Sequence, residues 1–354
     1  MRLAVPEYRE AAWWDWLART WNAKVSLRAD EVDRHAVRML VIERGGGTRV
    51  ERYADLAEHL HGGDVVVVND AATLPASLGG LTVRGERFEL RLTAPVDGPR
   101  VEGVLFGDGD WRTRTEHRAA PPRVDAGEEV AIADRVRATV VRRDGRRVEL
   151  EAIGGGPEVW WGAIYDSGKA VQYAHRREEL PLWAVQTAYA ARPWAVEMPS
   201  AGRGLTWEVL LRLRRRGIAV ATLTHAAGLG ATGDDALDRA LPLPERYDIP
   251  QATADAIAHA HAGGGRVIAI GTSVVRALEA SGGRAGQGVA TLRVDRSYRP
   301  RVVDGLVSGL HAPGESHFEL LEAFAPADRL RQALVLAARH GLSAHELGDT
   351  CLIV

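Results

Sequence analysis

The stretch Arg266–Glu279 reads RVIAIGTSVVRALE. Its first half is a short apolar run of strand length that ends at Gly271, and helical spacing begins directly behind it. A strand running straight into a helix is the repeating step of α/β proteins. Thr272 or Ser273 is the expected N-cap. The first amides of the helix then lack intrahelical acceptors and offer a seat for a carboxylate or phosphate. Arg276, one turn in, would add a guanidinium fork to the same anion. The plainer reading is a capped helix carrying a surface arginine. A dinucleotide fingerprint is excluded, because Gly263, Gly264 and Gly265 precede the strand, whereas GxGxxG must follow one.

Working outward, residues 250–262 (PQATADAIAHAHA) read as a helix and Ile218–His225 (IAVATLTH) as a strand. Thr206–Arg216 (TWEVLLRLRRR) reads as a helix opened by Thr206 and stopped at Gly217. Toward the N-terminus, residues 36–43 (AVRMLVIE) and Asp64–Asn69 (DVVVVN) read as strands, with a short helix over Asp55–His61. Residues His317–His340 are strongly helical. Between about residues 80 and 153 the period changes to two, in RFELRLT, RVEGVLF, EEVAIA, RVRATVV and RRVELEAI. Asp97–Gly98, Asp108–Gly109 and Asp144–Gly145 separate these runs with hairpin signals. Such a block predicts a small antiparallel barrel or sandwich, closed by Gly154–Gly156 and Pro157. The fold class is therefore α/β, a mixed α+β arrangement: a discontinuous α/β main domain at 1–78 and 157–354, with a small antiparallel β-barrel domain inserted at 79–156.

A chain of 354 residues suits about two domains. With 45 basic and 47 acidic residues the net charge is −2, which excludes a generally basic nucleic-acid coat and leaves room for a local basic path. Cys351 is the only cysteine, so internal disulfides, CxxC motifs and zinc ribbons are excluded. No apolar run approaches the roughly 18 residues of a membrane span. The N-terminal stretch, with Glu7, Arg9, Glu10 and Asp15, lacks the pattern of a secretory signal. A cytoplasmic monomer without a membrane partner is the expectation.

Three further stretches carry groups suited to chemistry. Met198–Trp207 (MPSAGRGLTW) is a glycine-bearing loop leading into a helix start, where a ligand can approach the backbone. In Leu223–Gly230 (LTHAAGLG) a histidine stands at a strand's end, and in Ser308–His317 (SGLHAPGESH) His311, Glu315, Ser316 and His317 share one short loop. Proton transfer needs such groups, although a structural histidine or a polar loop would look the same. The spacing does not match HExxH, and neither a GxSxG elbow nor a P-loop occurs.

In order along the chain stand Arg34–Ile42 (RHAVRMLVI), Val66–Leu78 (VVVNDAATLPASL), Gln186–Ala190 (QTAYA), Pro199–Gly202 (PSAG) and Glu245 with Tyr247. Gly271–Glu279 (GTSVVRALE), Asp304–Gly305, His311–Pro313 and Gly348–Asp349 with Leu352–Ile353 follow. Together they resemble one family, the S-adenosylmethionine:tRNA ribosyltransferase-isomerases of queuosine biosynthesis. The resemblance implies an α/β domain with an inserted β-barrel. It also implies an enzyme, a transferase and isomerase, that takes S-adenosylmethionine as ribosyl donor, tRNA as partner and no metal. The ribosyl moiety would pass to 7-aminomethyl-7-deazaguanine in tRNA and isomerise to epoxyqueuosine, with release of adenine and methionine. Carried onto this chain, it gives the anionic end of S-adenosylmethionine to Gly271, Thr272, Ser273 and Arg276, with Pro199, Ser200, Ala201 and Gly202 as the adjacent wall. Asn69 and Asp70 would set donors and acceptors, His311 with His225 or Glu245 would move protons, and Arg34, Arg38 and Arg203 would meet RNA.

The chain also departs from the family pattern. Ala71, Ala72 and Ser77 stand at polar or basic family positions, and Gly204 falls where the family has a histidine, beside a new cation at Arg203. Pro242–Leu243 replaces a Met-His pair. Gly314 and Glu315 replace Lys-Ser, losing a lysine and adding an acid. Losses of this kind fit an alternative, a diverged paralogue that transfers or cleaves the ribosyl group on a non-tRNA acceptor; a non-catalytic binding protein on the same scaffold is the third reading.

Overall fold

The computed structural model describes residues 33–174, 178–344 and 347–354, so the reading of the N-terminal stretch lies outside the described residues. The chain forms two compact units, one of residues up to Asn69 with Ser200–Leu223 and Asp248–Val354, the other of Asp70–Pro199 and Thr224–Tyr247.

The first unit opens with β1 (Arg38–Ile42) and β2 (Thr48–Arg52), antiparallel with Leu40 opposite Val50. The expected short helix is a 3₁₀ turn over Tyr53–His59. Next comes β3 (Val65–Asn69), buried along its whole length. An unbroken run of β-branched residues suits a strand covered on both faces. Asp64, just before it and 2% exposed, accepts from Arg266 Nη2 at 2.7 Å and from the amides of Arg266 and His61 at 2.8 and 2.9 Å. Burial opposes its charge, yet the bonds from Arg266 and His61 hold its carboxyl below the usual range.

In the second unit, β4 (Ala71–Thr73) is followed by β5 (Ser77–Thr82), β6 (Arg87–Leu92), β7 (Arg100–Gly107), β8 (Glu129–Ile132), β9 (Val136–Asp144) and β10 (Arg147–Ala152). Strands β5 to β10 close into an antiparallel barrel in the order β10-β7-β6-β5-β8-β9. The period-two pattern does what it predicts: β10 buries Val148, Leu150 and Ala152 and turns the residues between them outward. Asp144 pairs with Arg147 across a hairpin, but Asp108–Gly109 opens a long connection instead, because β8 lies between β5 and β9. That connection returns inward, burying Trp111 and Arg118. Glu89, 7% exposed, accepts from Arg91 Nε at 2.7 Å, Ser77 Oγ at 2.7 Å and Arg118 Nη1 at 2.6 Å. Burial works against the carboxylate, and the charges and bonds of Arg91, Ser77 and Arg118 hold it below its ordinary range. Helix α1 (Pro157–Ser167) has its proline in the first turn and adds Trp160, Ala163 and Ile164 to the barrel core. A short strand, β11 (Arg192–Ala195), then runs parallel to β4.

Helix α2 (Trp207–Arg215) stops before Gly217, whose φ of 72° is the left-handed conformation the sequence asks for. The chain continues through β12 (Ala219–His225), α3 (Asp235–Ala240), β13 (Glu245–Ile249), α4 (Gln251–Ala262), β14 (Val267–Ile270), α5 (Thr272–Ser281), β15 (Gly286–Ala290) and β16 (Gly305–Gly309). The strongly helical stretch from His317 forms two helices, α6 (Ser316–Leu321) and α7 (Ala327–Arg339), parted before Pro326, which cannot continue a helix. Strand β17 (Thr350–Ile353) completes a nine-stranded sheet in the order β15-β13-β12-β3-β14-β16-β17-β1-β2. Its centre is parallel: Val66 pairs with Ile268, and Ala269 with Leu306. Cys351 is buried in β17, and burial pushes its thiol up to about 12.

Candidate active site

In the first unit β3, β14 and β16 run parallel, so their carboxyl ends, Asn69, Ile270 and Gly309, lie along one edge of the sheet. Open α/β sheets receive ligands at that edge. Gly271, at φ 101°, is the N-cap of α5, one position earlier than the expected Thr272 or Ser273. The left-handed conformation explains the shift, since glycine adopts it without the strain a Cβ would bring. No side chain caps the helix, and the Gly271 amide is taken by the Val307 carbonyl at 2.8 Å. The amides of Thr272 and Ser273 therefore point out of the first turn.

The 3₁₀ turn Ser200–Gly202 packs against this start: a Cβ on Gly271 would lie 3.8 Å from Ala201 Cβ. Tyr53, 1% exposed, anchors the turn by donating its hydroxyl to the Ala201 carbonyl at 2.9 Å. A Cβ on Gly204 would come within 2.4 Å of Tyr53 Cγ. The phenol ring thus fills the space that a side chain at this position would need.

His311 and His317 stack with ring centroids 4.6 Å apart and planes 14° from parallel. Glu315 Oε2 stands 3.4 Å from His311 Nδ1 and 3.2 Å from the amide of Ala312, which donates to it. Burial, with the charges of His311 and Arg276 adding to it against Glu315, pushes the His317 imidazole down to about 3. Arg276 is 4% exposed, and Nε and Nη2 donate to the carbonyls of Leu292 and Ala290 at 3.2 and 3.0 Å. Burial pulls its guanidinium down to about 10. Glu279, on the same helix, accepts from the amides of Arg301, Val302 and Val303 at 3.0 to 3.1 Å and from Tyr298 Oη at 2.9 Å. The GTSVVRALE stretch therefore offers a helix start at one end and clamps two following loop segments with its charged residues.

The second unit holds Pro199, Asp70, His225 and Glu245. Pro199 is buried there. Asp70 Oδ1 accepts from Thr224 Oγ1 at 2.6 Å. His225 is fully buried, with Nε2 3.5 Å from Glu245 Oε2, while Glu245 Oε1 accepts from the Gly228 amide at 2.6 Å. Of the cations expected to meet RNA, Arg34 lies on a 3₁₀ turn capped by Asp33. Arg38 pairs with Asp349 at 2.7 Å and donates to the carbonyls of His340 and Gly341. Arg203 is 4% exposed and donates to the Leu347 carbonyl. The latter two tie down the C-terminal segment within the first unit. Tyr53 was not legible as a site residue, because only its distance from Ala201 and Gly204 in space reveals it. Among the described residues no group of three or more His, Cys, Asp or Glu is placed to hold a metal ion, and no helix is long and apolar enough to cross a membrane.

The class is that of an α/β protein divided by an inserted closed barrel, with an uncapped helix start at the carboxyl edge of its parallel strands. The sequence pattern of the family described as "Queuosine biosynthesis protein" matches residues 21–353. The S-adenosylmethionine:tRNA ribosyltransferase-isomerase of Trichlorobacter lovleyi is 32% identical over 332 residues, 91% of this chain and 94% of that protein. The protein of the same name from Thermus thermophilus is 32% identical over 336 residues, 91% of this chain and 93% of that one. A solved structure, the S-adenosylmethionine tRNA ribosyltransferase of Thermotoga maritima, is 20% identical, with 94% of this chain and 95% of that chain covered and a TM-score of 0.49. The chain belongs to the queuosine biosynthesis protein family.

Proposed function

We propose that this protein is an S-adenosylmethionine:tRNA ribosyltransferase-isomerase, acting in the cytoplasm. It moves the ribosyl group of S-adenosylmethionine to 7-aminomethyl-7-deazaguanine in tRNA and isomerises it to epoxyqueuosine, releasing adenine and methionine. The observation that carries this reading is the match, over nine-tenths of the chain, to relatives bearing that name. The first unit supplies suitable parts. The open amides of Thr272 and Ser273 receive the methionine carboxylate, Ser200–Gly202 forms the wall beside them, and Asn69 lies at the same edge. Arg276 adds positive charge from within the helix while its fork holds two carbonyls. The sulfonium makes the C5′ protons acidic, and His311 Nε2 removes one; the resulting carbanion opens the sugar and expels adenine, which takes up a proton.

A second reading, the same donor chemistry on a non-tRNA acceptor, draws on the cations. Donors of Arg38 and Arg203 are committed to the C-terminal segment, and Gly314 replaces a lysine. Adenine release from S-adenosylmethionine, measured with and without tRNA carrying 7-aminomethyl-7-deazaguanine, separates the readings. Release only with tRNA supports the first, release without it the second, and none at all removes both.

A further inference from the structure

The acid gained at position 315 stands where a general base of this kind needs one. Glu315 Oε2 is 3.4 Å from His311 Nδ1, and the Ala312 amide at 3.2 Å helps to hold the carboxylate in place. The other face of the imidazole is covered by His317, stacked at 4.6 Å and 14°. Nε2 is the nitrogen left on the Gly309 side, 3.4 Å from where a Cβ on that glycine would sit. Which imidazole nitrogen carries the proton is set by the partner of the other one. A carboxylate at Nδ1 selects the tautomer with Nδ1–H, and Nε2 then has the lone pair.

We propose that Glu315 is a positioning residue that fixes the tautomer of His311, and that His317 holds the plane of its ring. This rests on the reading above, in which His311 is the base. When Nε2 takes the substrate proton the ring becomes an imidazolium. The proton stays on the ring, and Glu315 faces the new charge without accepting it. The charged and titratable groups that face His317 are His311 and Glu315 from the same segment and Arg276 from α5.

The test combines a tautomer readout with kinetics. Nitrogen-15 spectra of labelled protein at neutral pH distinguish Nδ1–H from Nε2–H on His311, assigned by its loss in His311→Ala. The wild type should show Nδ1–H. In Glu315→Ala the Nε2–H form should rise, and kcat for adenine release should fall about tenfold or more with KM little changed, as expected for loss of general-base support. Glu315→Gln, which keeps an acceptor oxygen, should lie between the two. An unchanged tautomer, or a changed tautomer with unchanged kcat, overturns the assignment of Glu315. Retained activity in His311→Ala overturns the reading of His311 itself and this inference with it. Inactive His311→Ala with fully active Glu315→Ala removes the inference alone.

Discussion

Gly204→Ala tests how the site wall is built. The new methyl would lie 2.4, 2.6 and 2.8 Å from Tyr53 Cγ, Cδ2 and Cδ1. The ring cannot yield easily, because it is 1% exposed and its hydroxyl is held by the Ala201 carbonyl at 2.9 Å. Overpacking of this severity costs about 2–3 kcal/mol. Stiffening of the unfolded chain returns about 0.4–1 kcal/mol, leaving a net loss of about 1–2.5 kcal/mol. Urea unfolding reads it as a lower midpoint at unchanged slope. The same substitution in a Tyr53→Leu background should lose most of its cost, a coupling of about 1–2 kcal/mol. Calorimetry should also show weaker S-adenosylmethionine binding, because Tyr53 can no longer hold the Ser200–Gly202 turn in place. Equal costs in the two backgrounds, or no cost in either, would refute the packing argument.

Glu89→Gln should destabilise by about 3–5 kcal/mol, since it strips the acid from two buried arginines; a loss below 1 kcal/mol in urea unfolding would contradict this. Asp64 and Glu89 both hold their carboxyls below the ordinary range, so the stability they add is complete above the unfolded carboxylate pKa and drains as pH falls below it. His317 gives a higher window: pushed from 6.5 to about 3, it adds stability that is present above 6.5 and is lost as pH falls from there toward 3. Urea midpoints of the wild type should therefore fall faster between pH 7 and 5 than those of His317→Leu, and parallel curves would disprove it. Arg276→Ala should cost about 1.5–3 kcal/mol for each carbonyl it abandons and weaken S-adenosylmethionine binding, and calorimetry showing unchanged affinity would end its role toward the ligand.

Local pattern made the central strands and the barrel readable. Val65–Asn69 and Val267–Ile270 are apolar throughout because both faces are covered, and RVELEA alternates because one face meets the barrel core. The errors have physical causes. The Asp108–Gly109 signal is genuine turn chemistry, but the strand that pairs next is chosen by β5 and β9, far off in sequence. The cap of α5 stands at Gly271 because glycine adopts the positive φ that turns the chain into the helix. At the site, Gly271, Ala201 and His311 were legible as types of residue suited to a ligand. Tyr53 was hidden, since its meaning lies in contacts with residues distant along the chain. Arg38 and Arg203 looked like surface cations because composition cannot show that backbone carbonyls of the C-terminal segment hold them.

Strand β17 lies between β16 and β1, so four residues near position 350 join what would otherwise be two separate sheets. During synthesis the β1–β2 hairpin must wait, with one side unpaired, until Thr350–Ile353 has been made. Premature termination anywhere before Thr350 would leave two raw strand edges, open to pairing with other chains.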